Sequence, residues 1–214
     1  MRYAEKQRVQ KKYLELFRKV GMMLYAQKQL DDAGNYLKTY QNLGGRHPQV
    51  SKIIVQFINY APLNFNSKWK YRTLVNNNSS YNTYIIAAIQ NDQYLLKVDG
   101  RIGDERWYKK DGYLVKEFRN GTTDKVLKFP PQKGESWVSE LPRYKLEYRV
   151  VSISESVKVP AGKFANCVKL EIKYSNNSQR YSFIYYAPEV GEVKQEKYLN
   201  NQLIFTKELI EYSH

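Results

Sequence analysis

The sequence predicts an α+β chain. An N-terminal helical hairpin with a third helix occupies residues 1–60, and an antiparallel β meander over 61–214 forms a barrel or strongly curved sheet. Three observations predict this. Before Tyr60, apolar residues recur at three- and four-residue spacing, the period of an amphipathic helix. From Trp69 onward the period falls to two, that of a strand with one buried face. Short pairs rich in Asn, Asp and Gly then separate nearly all the strand-like runs, and these residues tolerate the positive φ of tight hairpins.

Tyr13, Phe17, Val20 and Leu24 mark the apolar stripe of the first helix, and Leu30, Ala33, Leu37 and Tyr40 that of the second. Asp31 and Asp32 suit a helix N-terminus, where the macrodipole favours negative charge. Leu43-Gly44-Gly45-Arg46-His47-Pro48 reads as a stop, with Gly ending the helix and Pro forbidding its continuation. A third apolar helix follows from Val50 to about Asn59, closed by Pro62. The order Phe17, Gly21, Leu24, Leu30, Ala33, Leu37, Tyr40, Pro48 resembles one tetratricopeptide repeat, in which small residues, here Gly21 and Ala33, let two antiparallel helices touch. The usual first-helix Trp is absent and the Pro falls late. One such repeat cannot bury its own faces, so an ordinary helical hairpin explains the same pattern.

Strands are predicted over Lys68–Val75, Tyr81–Ile89, Tyr94–Val98, Glu105–Lys109, Tyr113–Arg119 and Lys125–Phe129. After a loop they continue over Lys145–Ser154, Val157–Val159, Cys167–Tyr174, Tyr181–Tyr186, Glu192–Tyr198 and Leu203–Tyr212. The hairpin signals are Asn91-Asp92, Asp99-Gly100, Asp111-Gly112, Asn120-Gly121, Asn176-Asn177 and Asn200-Asn201. Many short strands joined this way make a meander, whose stable forms are a barrel, a curved sheet or a sandwich.

With 35 Lys and Arg against 21 Asp and Glu, the chain carries a net charge of +14, which invites a nucleic-acid partner. The basic residues, however, alternate with apolar ones, as in Lys68-Trp69-Lys70-Tyr71-Arg72, the pattern of a solvated strand face. An anionic partner such as lipid headgroups fits the same charge. No run of about 18 apolar residues suggests a membrane span. The opening Met1–Arg8 has the charge of a signal n-region without an apolar stretch behind it. A periplasmic or extracellular location is therefore expected if the chain is a piece of an exported protein, and a cytoplasmic one if Met1 is the natural start. The lone Cys167 excludes an internal disulfide and a Cys-based metal cluster.

Two stretches stand out, Val157–Cys167 with Pro160-Ala161-Gly162-Lys163-Phe164, and Tyr185-Tyr186-Ala187-Pro188-Glu189-Val190-Gly191. Together with Ala61-Pro62-Leu63, Trp69-Lys70-Tyr71, Trp107–Gly112, Leu127–Pro130, Gly134-Glu135-Ser136-Trp137 and Glu208-Leu209, they make residues 61–214 resemble the TapB-like family of bacterial envelope domains, whose function is unknown. The resemblance implies a β-rich, barrel-like fold in an exported setting. It brings no reaction and no catalytic residues. Trp69, Tyr71, Trp137, Pro160, Gly162, Phe164, Cys167, Pro188 and Gly191 are accordingly expected to be structural: rings as core anchors, glycines for special backbone angles and prolines at strand ends.

Little points to catalysis, and no cofactor or metal site is expected. The two histidines, His47 and His214, are poorly placed to serve a nucleophile. Asp31-Asp32 and Asp104-Glu105 are the only adjacent acidic pairs, and capping at element starts accounts for both. Glu105, Glu117 or Glu171 could in principle assemble a hydrolytic carboxylate pair. Cys167 shares a strand face with Lys169 and Lys173, which could activate its thiol; a small hydrophobe packed near Phe164 is the plainer reading. The sequence thus favours a non-catalytic binding or scaffolding module of the bacterial envelope, docking a protein or a lipid-like or anionic component. The alternatives are a basic, Tyr-rich nucleic-acid binder and, more weakly, an envelope-polymer hydrolase.

Overall fold

The apolar stripes of the first sixty residues become helices α1 (Tyr3–Ala26), α2 (Leu30–Asn42) and α3 (Pro48–Ile54) in the computed structural model, which describes residues 3–27, 29–54, 59–76, 78–91 and 93–214. Two compact units result, Met1–Ile58 and Asn59–His214. In the first, Leu37, Tyr40 and Val50 form a buried core joined by Leu14, Phe17, Met22 and Ile53. Gly21 permits it: a Cβ there would lie 2.6 Å from Leu37 Cδ2, so α1 meets α2 where the side chain is missing. The helix stop differs from expectation in one respect. Gly44 and Gly45 donate back to Gln41 and Tyr40 carbonyls and end α2, but Pro48 opens α3 rather than standing clear of it. At a first helical position proline loses no hydrogen bond, and its fixed φ suits the helix. The expected extension of this helix past Ile54 lies partly outside the described residues. No described helix is long and apolar enough to cross a membrane.

The second unit is a sheet of twelve strands: β1 (Lys68–Val75), β2 (Asn78–Gln90), β3 (Gln93–Val98), β4 (Arg101–Lys110), β5 (Tyr113–Phe118), β6 (Thr123–Lys128), β7 (Ser136–Leu141), β8 (Tyr144–Val159), β9 (Gly162–Tyr174), β10 (Asn177–Ala187), β11 (Gly191–Leu199) and β12 (Gln202–Ser213). Their order is β6-β5-β4-β3-β2-β1-β12-β11-β10-β9-β8-β7, antiparallel throughout. First and last strands pair in the middle, so the sheet curls into a nearly closed barrel whose free edges, β6 and β7, meet at a seam. There Lys125 N–H donates to Ser139 Oγ at 2.9 Å, and Trp137 Nε1 donates to the Lys125 carbonyl at 2.6 Å.

Three expectations are corrected here. β7 falls where a loop was read. The predicted strands Lys145–Ser154 and Val157–Val159 are one strand, β8, whose pairing with β9 slips at three places between Val150 and Val157. These bulges break the period of two and let a long strand bend. Positive φ occurs at Asn91, Asp99, Gly100, Asp111, Gly112, Gly121, Asn200 and Asn201 as hairpins require, but not at Asn176 or Asn177; Asp92 lies outside the described residues.

Candidate functional site

At one end of the barrel, the end of the β4–β5, β8–β9 and β10–β11 turns, the singled-out motifs converge. Trp69 and Tyr71 on β1, Cys167 on β9 and Ala187, Val190 and Val193 around the β10–β11 turn share one buried cluster, with Phe164 packed against it. Trp69 Nε1 donates to the Val190 carbonyl at 2.7 Å, and Tyr71 Oη to that of Glu192 at 2.9 Å. Residues 59–63 lie across this end: Glu189 N–H donates to the Asn59 carbonyl at 2.7 Å, and Tyr60 Oη to that of Asn166 at 3.3 Å. Gly191 has φ +97°, and a Cβ on it would face Pro62 and the Trp69 indole. Pro160 sits in the β8–β9 turn beside Gly162 at φ +138°, and Pro188 in the β10–β11 turn beside Glu189 at φ +57°. Trp137 is elsewhere, at the seam, stacked on Tyr148 with ring centroids 5.2 Å apart.

Behind the motif end lies a small apolar pocket of about 80 Å³, walled by residues such as Leu63, Trp69, Trp107 and Tyr186. It shares Tyr84, Leu96, Trp107, Tyr186, Glu192 and Lys207 with a larger cavity of about 450 Å³ inside the barrel. Apolar walls such as Val98, Val126, Ile172 and Ile184 carry this cavity towards the opposite end. The Trp107 Nε1 donor is buried and has no acceptor among the described residues.

The cavity is unusual in holding charge. Lys207 Nζ lies 2.7 Å from Glu192 Oε1, the two side chains being 16% and 14% exposed, and 4.7 Å from the centre of the Tyr71 ring. Burial works against the charge on Lys207, yet Glu192 beside it holds its pKa above the ordinary lysine value. Lys116 pairs with Glu105 at 2.6 Å and faces the Trp107 and Phe118 rings. Asp124, 6% exposed, accepts from Tyr148 Oη at 3.0 Å. Burial pushes its carboxyl up, against hydrogen bonds from Ser139 and Tyr148. Charges survive in such a place because a partner and ring faces replace the lost water.

The sequence missed these groups, having taken the charged residues of the strands as solvated. A signal existed in the phase of the alternation. Lys207 falls between Phe205 and Leu209, Lys116 between Leu114 and Phe118, and Glu105 two residues before Trp107. Each is in step with apolar positions, hence on the inner face. Asp104-Glu105 is corrected accordingly: it lies within β4, not at an element start. Glu105, Glu117 and Glu171 do not assemble. Glu105 faces the cavity, Glu117 borders a different hollow beside Arg106 and Arg119, and Glu171 pairs with Arg149 at 2.9 Å on the outer surface. Cys167 does not share a solvated face with Lys169 and Lys173. It is fully buried, its thiol directed at the Phe164 carbonyl, and burial raises its pKa to about 11. Of the Tyr-rich segments, Tyr84 and Tyr186 line the cavity while Tyr81 is exposed. His214 lies within 3.2 Å of Ser67 Oγ beside Trp69, its pKa lowered by burial. Among the described residues, no group of three or more His, Cys, Asp or Glu could hold a metal ion.

Residues 138–209 match the model of the DUF3108-like family. No curated protein matches the chain. Similar solved structures include a Bacteroides fragilis protein named as exported and as having a YmcC-like fold, at 14% identity and TM-score 0.49, covering 73% of this chain and 100% of that one. Another is a protein of Parabacteroides distasonis named as a lipoprotein, at 16% identity and TM-score 0.46, covering 73% and 99%. Neither the TapB-like family nor the tetratricopeptide repeat is among these matches.

Proposed function

We propose that the chain is a non-catalytic binding module of the bacterial cell envelope whose barrel interior takes an apolar or amphipathic small ligand. The observation that carries this is the interior cavity of about 450 Å³ that adjoins an apolar pocket beneath the motif turns. Its volume lies in the range of small-molecule sites, which are mostly apolar with a few placed polar groups. The envelope setting rests on the motif resemblance read from the sequence. A hydrolase would need two carboxylates working together; inside this cavity Glu105 and Glu192 are each closed by a lysine, which speaks for binding over chemistry.

The test is displacement of the fluorescent probe N-phenyl-1-naphthylamine by dodecanol, on wild type and on Ile184→Trp, which puts a larger side chain into the cavity. Wild type is expected to bind the probe at micromolar concentration and release it to dodecanol. The variant, with an unchanged far-ultraviolet dichroism spectrum, is expected to bind at least about tenfold more weakly. Probe binding that the filled cavity leaves untouched, or none in wild type, overturns the proposal.

A further inference from the structure

Among the described residues, Lys116 and Lys207 line the cavity together with Glu105, Asp124 and Glu192, and Arg180 on β10 and Lys197 on β11 stand beside it. Every one of the carboxylates is engaged, Glu105 by Lys116, Glu192 by Lys207 and Asp124 by Tyr148. Arg180 and Lys197 are left over, and neither forms an ion pair among the described residues. Both belong to the end of the barrel opposite the motif turns. Lys197 is two residues beyond the cavity-lining Gln195 on β11 and stands opposite Ser182, whose hydroxyl bonds the cavity-lining Tyr174 at 3.1 Å. Its Nζ lies over the Phe205 ring, 4.3 Å from the centroid. The Arg180 guanidinium lies 4.5 Å from the Tyr174 ring centroid, with its Nε buried and without an acceptor among the described residues.

We infer that Arg180 and Lys197 form a subsite for an anionic head group, carboxylate or phosphate, on a ligand whose apolar chain occupies the barrel interior. This rests on the interior-binding reading above and names the ligand class it left open. Two unpaired cations beside a cavity repel each other and have lost part of their water. Burial first, then the charges of Lys207 and Arg180, hold Lys197 below the ordinary lysine pKa. An anion between the two would relieve both effects, and a guanidinium fork beside an ammonium suits planar or tetrahedral oxyanions. The spatial order also fits an amphiphile: apolar pocket at the motif end, paired charges midway, unpaired cations at the far end.

The experiment is calorimetric titration of the full chain with dodecanoate, dodecyl phosphate and neutral dodecanol, on wild type, Lys197→Gln and Arg180→Gln. Wild type is expected to bind at least one of the anions about tenfold more tightly than dodecanol, the value of one charge-assisted hydrogen bond. Which anion gains more identifies the head group. Each variant is expected to lose that preference with dodecanol binding unchanged. If wild type binds dodecanol as tightly as both anions, the subsite is overturned while the interior-binding reading stands. The same holds if the variants weaken all three ligands alike. If none of the three binds, both readings fall. The wild-type comparison decides even should a variant not fold.

Discussion

Asp124 illustrates how one side chain sets a pH dependence. It is buried beside the seam, and burial raises its carboxyl above the ordinary aspartate value. The native state therefore holds this proton to a higher pH than the unfolded chain does. Where the folded state binds more protons, unfolding free energy falls as pH rises. Asp124 thus subtracts stability from the ordinary aspartate range upward, through its raised pKa. The expectation is that Asp124→Asn, compared with wild type by urea unfolding, gains stability between pH 4 and pH 7; a difference that is flat or declines over that window would contradict it. Other residues were more legible. Trp69, Phe164 and Gly191 were singled out by ring size and turn position, whereas the inward Lys207 required attention to the phase of alternation. Cys167, expected on the plainer reading as a small hydrophobe packed near Phe164, is fully buried with its thiol directed at the Phe164 carbonyl.

Among the elements, β7 is the instructive case. Ser136–Leu141 alternates buried and exposed positions, with Trp137 and Ser139 inward. Pro130, Pro131 and Gly134 just before it suggest a loop, and its inward set includes a serine rather than an aliphatic residue. The reason is positional. β7 is an edge strand, and its inward hydroxyl serves the seam by accepting from Lys125 N–H and by bonding Asp124. Ser139→Ala removes that acceptor and a donor to a buried carboxylate. A loss of about 1–3 kcal/mol is expected, the usual cost of stranding buried polar groups, checked by urea unfolding at pH 7. A change within a few tenths would mean that the stacked Trp137 and Tyr148 hold the seam without it. β8 teaches the converse: two sequence signals can be one strand when bulges interrupt the period.

Over the whole molecule, a net charge of +14 invites a polyanion, but much of the basic surface is answered locally. Arg72 pairs with Glu208, Lys128 with Glu135, Lys145 with Glu140, Arg149 with Glu171 and Lys194 with Glu196. A labelled single-stranded oligonucleotide is therefore expected to bind weakly at low salt and to be lost at 150 mM. Micromolar affinity that persists there, with a steep salt slope, would favour the nucleic-acid reading instead. The sequence by itself determined the two classes of structure and most strand boundaries, because periodicity and turn chemistry are local. Only the tertiary structure decided that the sheet curls until β6 meets β7, which motifs share one end, and which charges face inward. Those depend on pairings between residues more than a hundred positions apart, as with Trp69 and Val190, and on bulges that shift the inner face partway along a strand. Arg180 and Lys197 look like surface charges in the sequence; the closing of the sheet around them makes them a candidate site.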